Sequence, residues 1–362
     1  MSDIMKIVGQ YEKLRADRAI QAQKFLSGER PYMIFHTPPG NIWRNIRTPE
    51  ESYLGNMTVI ENSLDVPSDH LPVLEPWFGT GVYANFYGCD YVWREQEAPA
   101  VHYKYRTVDE IAGLEKPDWR KSEIAQLILE AIRYFKNRTG DAIPIILTDT
   151  QSAHDTASLI LDASETYIGC IEEPETMMKF MKDINRLIVE FSYAQMEAIG
   201  NAYLKPGHIM LCADGFSGIS VSDDNLAVGS PDTGTRFNLP LDEELGREFG
   251  GIAIHSCGRW AHMMKYLKEY CPSCMCVDCQ IDLTADPNPN RPEDVRDALA
   301  GTGIYAHIKL TGETEKMLEE IKRVLHPDLK LVVHPNYIDK ATAERNYYEL
   351  ESLLSGFYGG KK

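Results

Sequence analysis

No stretch of the sequence approaches the roughly 18 consecutive apolar residues that are needed to cross a bilayer. The amino-terminal segment, MSDIMKIVGQYEKLRADRA, mixes charges through its apolar positions and so lacks the apolar core of a secretion signal. We therefore expect a cytoplasmic protein without a membrane partner.

Positive charge is also scarce. The chain has 37 Lys and Arg against 54 Asp and Glu, a formal net charge of -17, and no Lys/Arg block. Phosphate binding needs a basic surface, so this balance argues against a nucleic-acid partner. The 43% hydrophobic and 25% charged residues are typical of a globular protein with a sizeable core.

The eight cysteines lack the secretion signal that would make disulfides probable, so we expect reduced thiols. Four of them lie in CPSCMCVDC (271–279), whose spacing fits neither a zinc ribbon nor a ferredoxin cluster. On a strand over 274–279, alternation would point Cys274 and Cys276 one way and Cys279 the other. We therefore interpret these cysteines as small buried hydrophobes.

Short apolar runs alternate with helical patterns along the chain. The runs are YMIFH 32–36, LPVLE 71–75, IPIIL 143–147, HIMLCAD 208–214, GIAIHS 251–256, CMCVDC 274–279, IYAHIKL 304–310 and LVVHP 331–335. Strands that are apolar throughout, separated by helices, are typical of a parallel sheet covered on both faces. Eight such units predict an α/β fold, the (β/α)8 TIM barrel.

We predict a single domain over 1–362, with an amino-terminal helical extension over 1–30 and long insertions in the first βα loops. A doubly wound open sheet is the alternative fold, but no Gly-rich phosphate turn follows the first run.

Such barrels carry their chemistry where strands end. His255 and Cys257 end the fifth run and, one residue apart on an extended backbone, leave the same face. Imidazole and thiolate are ligands that zinc prefers, although a catalytic site needs a third. His334, which ends the eighth run, is our first choice; Asp214, Asp223 and Asp278 are weaker candidates. A core histidine with a buried thiol, and a backbone-bonded His334, stay open.

The segments HIMLCADGFSGISVSDDNLAVGSPDTGTRFNLP and GGIAIHSCGRW resemble the uroporphyrinogen decarboxylase superfamily, in which an Asp-rich loop precedes an H-x-C-G strand end. EEPETMMKFMKDINRLI, NRPEDVRDALAG and, more loosely, LPVLEPWFGTGVYANFYGCD extend the resemblance from about residue 70 onward. The fold that the resemblance implies is again the (β/α)8 barrel.

The H-x-C feature is similar to that of the cobalamin-dependent methyltransferases of this superfamily, which move a methyl group from a methylated corrinoid protein to a thiol. The resemblance implies zinc held by a histidine, by a cysteine two residues on and by a cysteine near the last strand. His255 and Cys257 match the first two, whereas His334 stands in the place of the last. Fewer thiolate ligands would leave a more Lewis-acidic metal, suited to a thiol or to a different acceptor.

A metal-independent decarboxylase acting on a carboxylated substrate is the second hypothesis. Here HTPPGNIWRNIR offers only Arg44 and Arg47, without the R-Q-A-G-R pattern that true uroporphyrinogen decarboxylases use for their substrate's carboxylates. A non-catalytic tetrapyrrole or corrinoid carrier is a third hypothesis, which the several ionisable strand ends disfavour.

Further residues complete the predicted site. Asp214 and Asp278 are assigned as acid/base groups or as partners of the metal ligands, and Trp77, Phe78 and Tyr83 as a wall for a flat cofactor, with simple packing as the alternative. Asp214, Asp223 and Asp224 adjoin a Gly- and Ser-rich loop, where turn formation competes with a ligand role.

The expected cofactors are zinc and methylcobalamin, the latter presented by a partner corrinoid protein that docks on loops 37–70 and 215–235. A small-molecule methyl acceptor is the other partner, and a homodimer stays open.

Overall fold

The computed structural model describes residues 2–40, 42–43, 46–95 and 97–360, so Arg44 lies outside the described residues. The strands are β1 (Tyr32–Ile34), β2 (Tyr91–Val92), β3 (Ala100–Val101), β4 (Ile219–Ser222), β5 (Ile252–His255), β6 (Cys274–Gln280), β7 (Tyr305–Leu310) and β8 (Leu331–Pro335).

The first helices are α1 (Ser2–Ser27), α2 (Pro49–Ser63), α3 (Val82–Phe86), α4 (Val108–Ala112), α5 (Glu123–Thr139), α6 (Ala153–Ile160), α7 (Ala163–Glu172) and α8 (Pro174–Ile199). The later ones are α9 (Asn225–Val228), α10 (Pro231–Thr233), α11 (Leu239–Phe249), α12 (Ala261–Met264), α13 (Leu267–Tyr270), α14 (Pro292–Leu299), α15 (Thr314–Val324) and α16 (Lys340–Gly359). Within the described residues, none of these helices is long and apolar enough to cross a membrane.

Six strands form one parallel sheet in the order β1-β8-β7-β6-β5-β4. Two irregular segments, 69–75 and 143–152, run between its edges. The first segment is joined to β1 by the hydrogen bond from the Asp69 N–H to the Ile34 carbonyl (2.7 Å). The parallel bridge Leu74–Ile145 joins the two segments, and the bridge Gln151–Ser222 joins the second segment to β4. This arrangement confirms the predicted α/β fold, and the long excursions after β1 and after residue 75 are the predicted insertions.

Three of the eight predicted strands are not regular strands. Residues 71–75 and 143–147 form only isolated bridges, and the strand predicted over 208–214 is wrong. Residues 208–214 form turns, and the chain enters the sheet only at β4. Gly207 (φ 122°), His208 (φ 46°) and Gly215 (φ 95°) hold left-handed conformations that a strand does not allow. The apolar residues of this segment instead pack inside the barrel against Phe25 of α1. The segment and α1 therefore fill the amino-terminal end of the barrel.

Alternation along the strands places the polar groups above that apolar layer. The inner cluster contains Phe25, Met33, Ala253, Cys276, Tyr305 and Val332. Because side chains two apart on a strand share a face, the next inward positions are His255, Asp278, His307 and His334. The barrel interior thus changes from apolar to polar toward the carboxyl ends of β5 to β8.

The cysteines of 271–279 are all buried. Cys276 packs in the inner cluster, whereas Cys274 and Cys279 belong to the outer core, because a register irregularity at Ile252–Ala253 shifts the start of β6. Cys274 therefore faces away from Cys276, against the strict alternation that the sequence predicts. Burial raises the pKa of all four thiols, in keeping with their interpretation as small hydrophobes.

Candidate functional site

His255 lies at the carboxyl end of β5, beside Asp278 of β6 in the strand register. Its Nδ1 lies 2.5 Å from Asp278 Oδ1. Burial acts to raise the pKa of Asp278, but Lys309, His307 and His255 outweigh burial and hold that pKa well below its usual range. The ionised carboxylate favours a proton on Nδ1 and leaves Nε2 as a lone-pair donor.

Cys257 and Asp224 face this Nε2. Cys257 Sγ lies 3.3 Å and Asp224 Oδ1 3.8 Å from it, and the same Oδ1 accepts a 2.6 Å hydrogen bond from the Cys257 N–H. Among the described residues, one ligand atom from each of these three side chains lies within 4.8 Å of the others. Nitrogen, sulfur and oxygen donors in such a group suit zinc.

The local backbone explains this convergence. Gly258 turns the chain after β5 with φ of 74°, and its N–H donates to Asp286 Oδ2 at 2.9 Å. On the facing loop, the Asp155 carboxylate accepts the N–H groups of Asp224 (2.7 Å) and Asn225 (2.9 Å). The sequence analysis missed Asp155, which begins no motif and follows no strand.

The electrostatics of Cys257 favour a cation at this position. Cys257 is exposed as a residue, but partial burial of its thiol and the neighbouring Asp224 raise the pKa of Cys257 to about 12. The thiol is therefore protonated at neutral pH unless a positive ion stabilises the thiolate. Asp223 is not a member of this group. Both its oxygens accept from Asn238 Nδ2 at 2.8 and 2.9 Å, and burial raises its pKa to about 6, so a ligand role for Asp223 stays a prediction.

Lys309 and His307 of β7 extend the site behind His255. Lys309 Nζ lies 3.2 Å from Asp278 Oδ1, and His307 Nδ1 lies 3.2 Å from the other oxygen, Oδ2. Asp278 therefore contacts three residues of the mouth. His307 also carries a sequence signal that was overlooked, since it stands two residues before Lys309 on the same strand.

A second polar group lies across the barrel. His208 Nδ1 lies 2.6 Å from Glu75 Oε1, and Nε2 lies 3.7 Å from Asp149 Oδ2. Burial acts to lower the pKa of His208, but the two carboxylates outweigh it and raise the pKa to about 9. His208 is thus a partly buried imidazolium at neutral pH. In the sequence, Glu75 ends the apolar run 71–75, whereas His208 begins the run 208–214 that predicts a strand.

A cavity of about 330 Å³ connects the two polar groups. Lys309 and His334 line it on one side and Glu75 and His208 on the other, while Phe35, Trp43, Val73 and Ile146 contribute apolar walls. Because Lys309 also contacts Asp278, the cavity adjoins the group formed by His255, Cys257 and Asp224.

The structure separates some of the sequence-predicted residues from this site. Asp214 is exposed and paired with Arg15 of α1 (2.8 Å), because the segment before it turns away from the sheet. Phe78 and Tyr83 belong to the outer hydrophobic core, and Trp77 is also buried. None of the three lines the cavity, a placement that favours packing. The assignment of a role in catalysis or cofactor binding to these residues stays a prediction.

His334 points into the mouth but not into the three-residue group. Its ring lies 4.2 Å from that of Phe35 and stacks on His307 at 5.3 Å, measured between ring centroids. Burial, with His307 and Lys309 nearby, lowers the pKa of His334 well below its ordinary value, so the imidazole is neutral. Asp224 joins His255 and Cys257 instead, and ligation by His334 stays a prediction.

The fold and this site define an α/β barrel with a polar mouth and a compact set of nitrogen, sulfur and oxygen donors. A family model described as uroporphyrinogen decarboxylase (URO-D) matches residues 78–204, which confirms the resemblance to that superfamily.

The fold is shared with the solved structure of a methyltransferase. A methyltransferase from Methanosarcina mazei superposes with a TM-score of 0.60 at 16% identity, covering 86% of each chain. A beta-methylaspartase from Clostridium tetanomorphum covers 71% of this chain and 59% of its own at 12% identity, with a TM-score of 0.34. No curated protein sequence matches this chain at a significant level.

Proposed function

We propose that the protein is a zinc-dependent methyltransferase that moves a methyl group between a methylated corrinoid protein and a small, thiol-like acceptor. The observation that carries this proposal is the convergence of Asp224, His255 and Cys257 within 4.8 Å at the barrel mouth, beside an open cavity. The fold shared with a methyltransferase from Methanosarcina mazei supports it.

The chain's own residues would hold the metal and orient its ligands. Asp278 fixes the tautomer and orientation of His255, and Asp224 holds the Cys257 backbone so that both ligand atoms face one point. His334 or Asp224 would supply the third protein ligand, and one position would stay open for the acceptor. Zinc, when bound there, would lower the pKa of a thiol acceptor into the physiological range.

The rim of the mouth offers a surface for a protein partner. Four of the exposed large apolar side chains follow strands of the barrel, namely Trp43, Val228, Leu283 and Ile338. Exposed apolar groups around a site are typical of protein contacts. We assign this rim, which includes parts of loops 37–70 and 215–235, as the dock of the corrinoid protein.

A metal-independent decarboxylase is the second candidate, supported by the match of the family model over 78–204. The barrel mouth has few groups to bind a carboxylated substrate, because the cations lining the cavity, Lys309 and His208, already face carboxylates.

The test is methyl transfer from methylcobalamin to a small thiol, followed by the loss of the methylcobalamin spectrum. We expect zinc-loaded wild type to catalyse transfer, Cys257→Ser to lose at least a hundredfold, and the control Cys279→Ala, which alters a buried cysteine, to stay active. Equal rates for wild type and Cys257→Ser would contradict the proposal.

A further inference from the structure

The cavity between Lys309 and His208 has polar atoms that the protein leaves unsatisfied. Among the described residues, Nδ1 of His70 and Nδ1 of His334 have no hydrogen-bond partner, although both atoms are buried. Both residues line the cavity. Buried polar atoms are normally hydrogen-bonded, so these nitrogens indicate a place where a ligand or ordered water completes the bonding.

Two further donors are directed to the same space. His208 donates from Nδ1 to Glu75, but its Nε2 lies 3.7 Å from Asp149 Oδ2, which is beyond hydrogen-bond distance. Asp149 is already satisfied, since its oxygens accept from Gln151 Nε2 (3.1 Å each) and Ser222 Oγ (3.2 Å). Lys309 has three N–H donors and contacts Asp278 with its ammonium group.

The two positive charges of these donors are nevertheless outweighed by three carboxylates. Lys309 faces Asp278, and His208 faces Glu75 and Asp149. An anionic ligand would therefore meet no uncompensated cation and would be repelled by the carboxylates behind the donors. A cationic ligand would meet the positive N–H groups of Lys309 and His208. The electrostatics thus favour an uncharged ligand with a hydrogen-bond acceptor.

The remaining lining sets the shape of the ligand. Phe35, Trp43, Val73 and Ile146 provide apolar contacts, and the Trp43 ring lies 6.1 Å from the His208 ring. The volume of about 330 Å³ lies near the lower end of the range for small-molecule sites. Flat apolar groups pack well between aromatic and branched aliphatic side chains.

We propose that this cavity binds an uncharged molecule with a flat apolar body and an oxygen acceptor, which hydrogen-bonds to His208 Nε2 and Lys309 Nζ. This inference rests on the proposed function in one respect, because it names this molecule as the small, thiol-like acceptor. Its sulfur would lose a proton and form an S–CH3 bond as the methyl–cobalt bond of the corrinoid breaks, with the bonding electrons left on cobalt. The molecule differs from a substrate with a sulfonate or several carboxylates.

The test compares three probes of nearly equal shape, namely benzyl alcohol, benzoate and benzylammonium, by ligand-observed NMR titration of the purified protein without any methyl donor. We expect benzyl alcohol to bind saturably at one site and each charged probe to bind at least tenfold more weakly. Tighter binding of benzoate or benzylammonium, or no saturable binding of any probe, would overturn the inference.

Variants locate the binding and test the charge balance. His208→Gln should weaken benzyl alcohol at least fivefold, while His262→Gln, which alters an exposed histidine outside the cavity, should leave it unchanged. Asp149→Asn should shift the preference toward benzoate about tenfold, because one carboxylate charge is removed. An unchanged preference in Asp149→Asn would overturn the electrostatic argument. Binding with normal preferences but no methyl transfer would reject the proposed function alone.

Discussion

The two sides of the barrel mouth are built differently. On the β5 to β8 side, regular parallel strands present His255, Asp278, His307, Lys309 and His334 in register. On the opposite side, single bridges and turns position Glu75, Asp149 and His208. The regular side carries His255 of the proposed metal site, whereas the irregular side forms most of the cavity. The proposed metal site and the proposed ligand site therefore lie on different sides of one mouth.

The largest expected effect is on the regular side. Asp278→Asn leaves the Lys309 ammonium without its buried carboxylate and removes the charge that orients His255. We expect the free energy of unfolding to fall by about 3 kcal/mol, measured by chemical denaturation. We also expect zinc affinity to fall roughly 10- to 100-fold, measured by competition with a chelator.

Asp69→Asn is the matched control, because Asp69 is equally buried and pairs with Arg30 (2.6 Å) away from the mouth. It should lower stability similarly and leave zinc affinity unchanged. Wild-type zinc affinity in Asp278→Asn would contradict the role assigned to Asp278.

A smaller effect is expected on the irregular side. The pKa of His208 rises from its ordinary value of 6.5 to about 9 in the folded protein. Because the folded state binds this proton more tightly, its stabilisation is complete below pH 6.5 and disappears as the pH rises through about 9. The linked free energy is about 3 kcal/mol.

Glu75→Gln removes one of the two carboxylates that raise this pKa, so stability should fall less steeply between pH 6.5 and 9 than in wild type. Denaturation curves across this range measure the slope, with Glu61→Gln on the exposed face of α2 as the control. Identical slopes for Glu75→Gln and wild type would show that His208 is not held as an imidazolium.

The smallest effect tests the corrected position of Asp214. Its ion pair with Arg15 is substantially exposed, so Asp214→Ala should lower the free energy of unfolding by less than about 1 kcal/mol. Methyl transfer and zinc content should stay at wild-type values. A large loss of transfer activity in Asp214→Ala would support its predicted role as an acid/base group.

The same contrast explains what the sequence could predict. On the regular side, apolar alternation and the spacing of His255 and Cys257 are local features, and Asp278 and His334 follow from strand ends. The convergence with Asp224 depends on the loop bond to Asp155, which no local pattern reveals.

Less of the irregular side could be predicted from the sequence. HIMLCAD has the composition of a strand, but positive φ at Gly207, His208 and Gly215 makes it a turn inside the barrel. The strand predicted over 208–214 therefore separated His208 from the site, and Glu75 stood out only as the last residue of the run 71–75. The Pro-Gly pair before His208 is the one signal that could have indicated a turn.

The most direct test of the central claim is the metal content of protein purified without a histidine tag, for wild type, Cys257→Ala, His334→Ala and Asp224→Ala. We predict about one zinc per chain in wild type and its loss in Cys257→Ala. Loss in His334→Ala or in Asp224→Ala identifies the third ligand. A wild-type protein that binds no zinc, even when zinc is supplied, would contradict the claim.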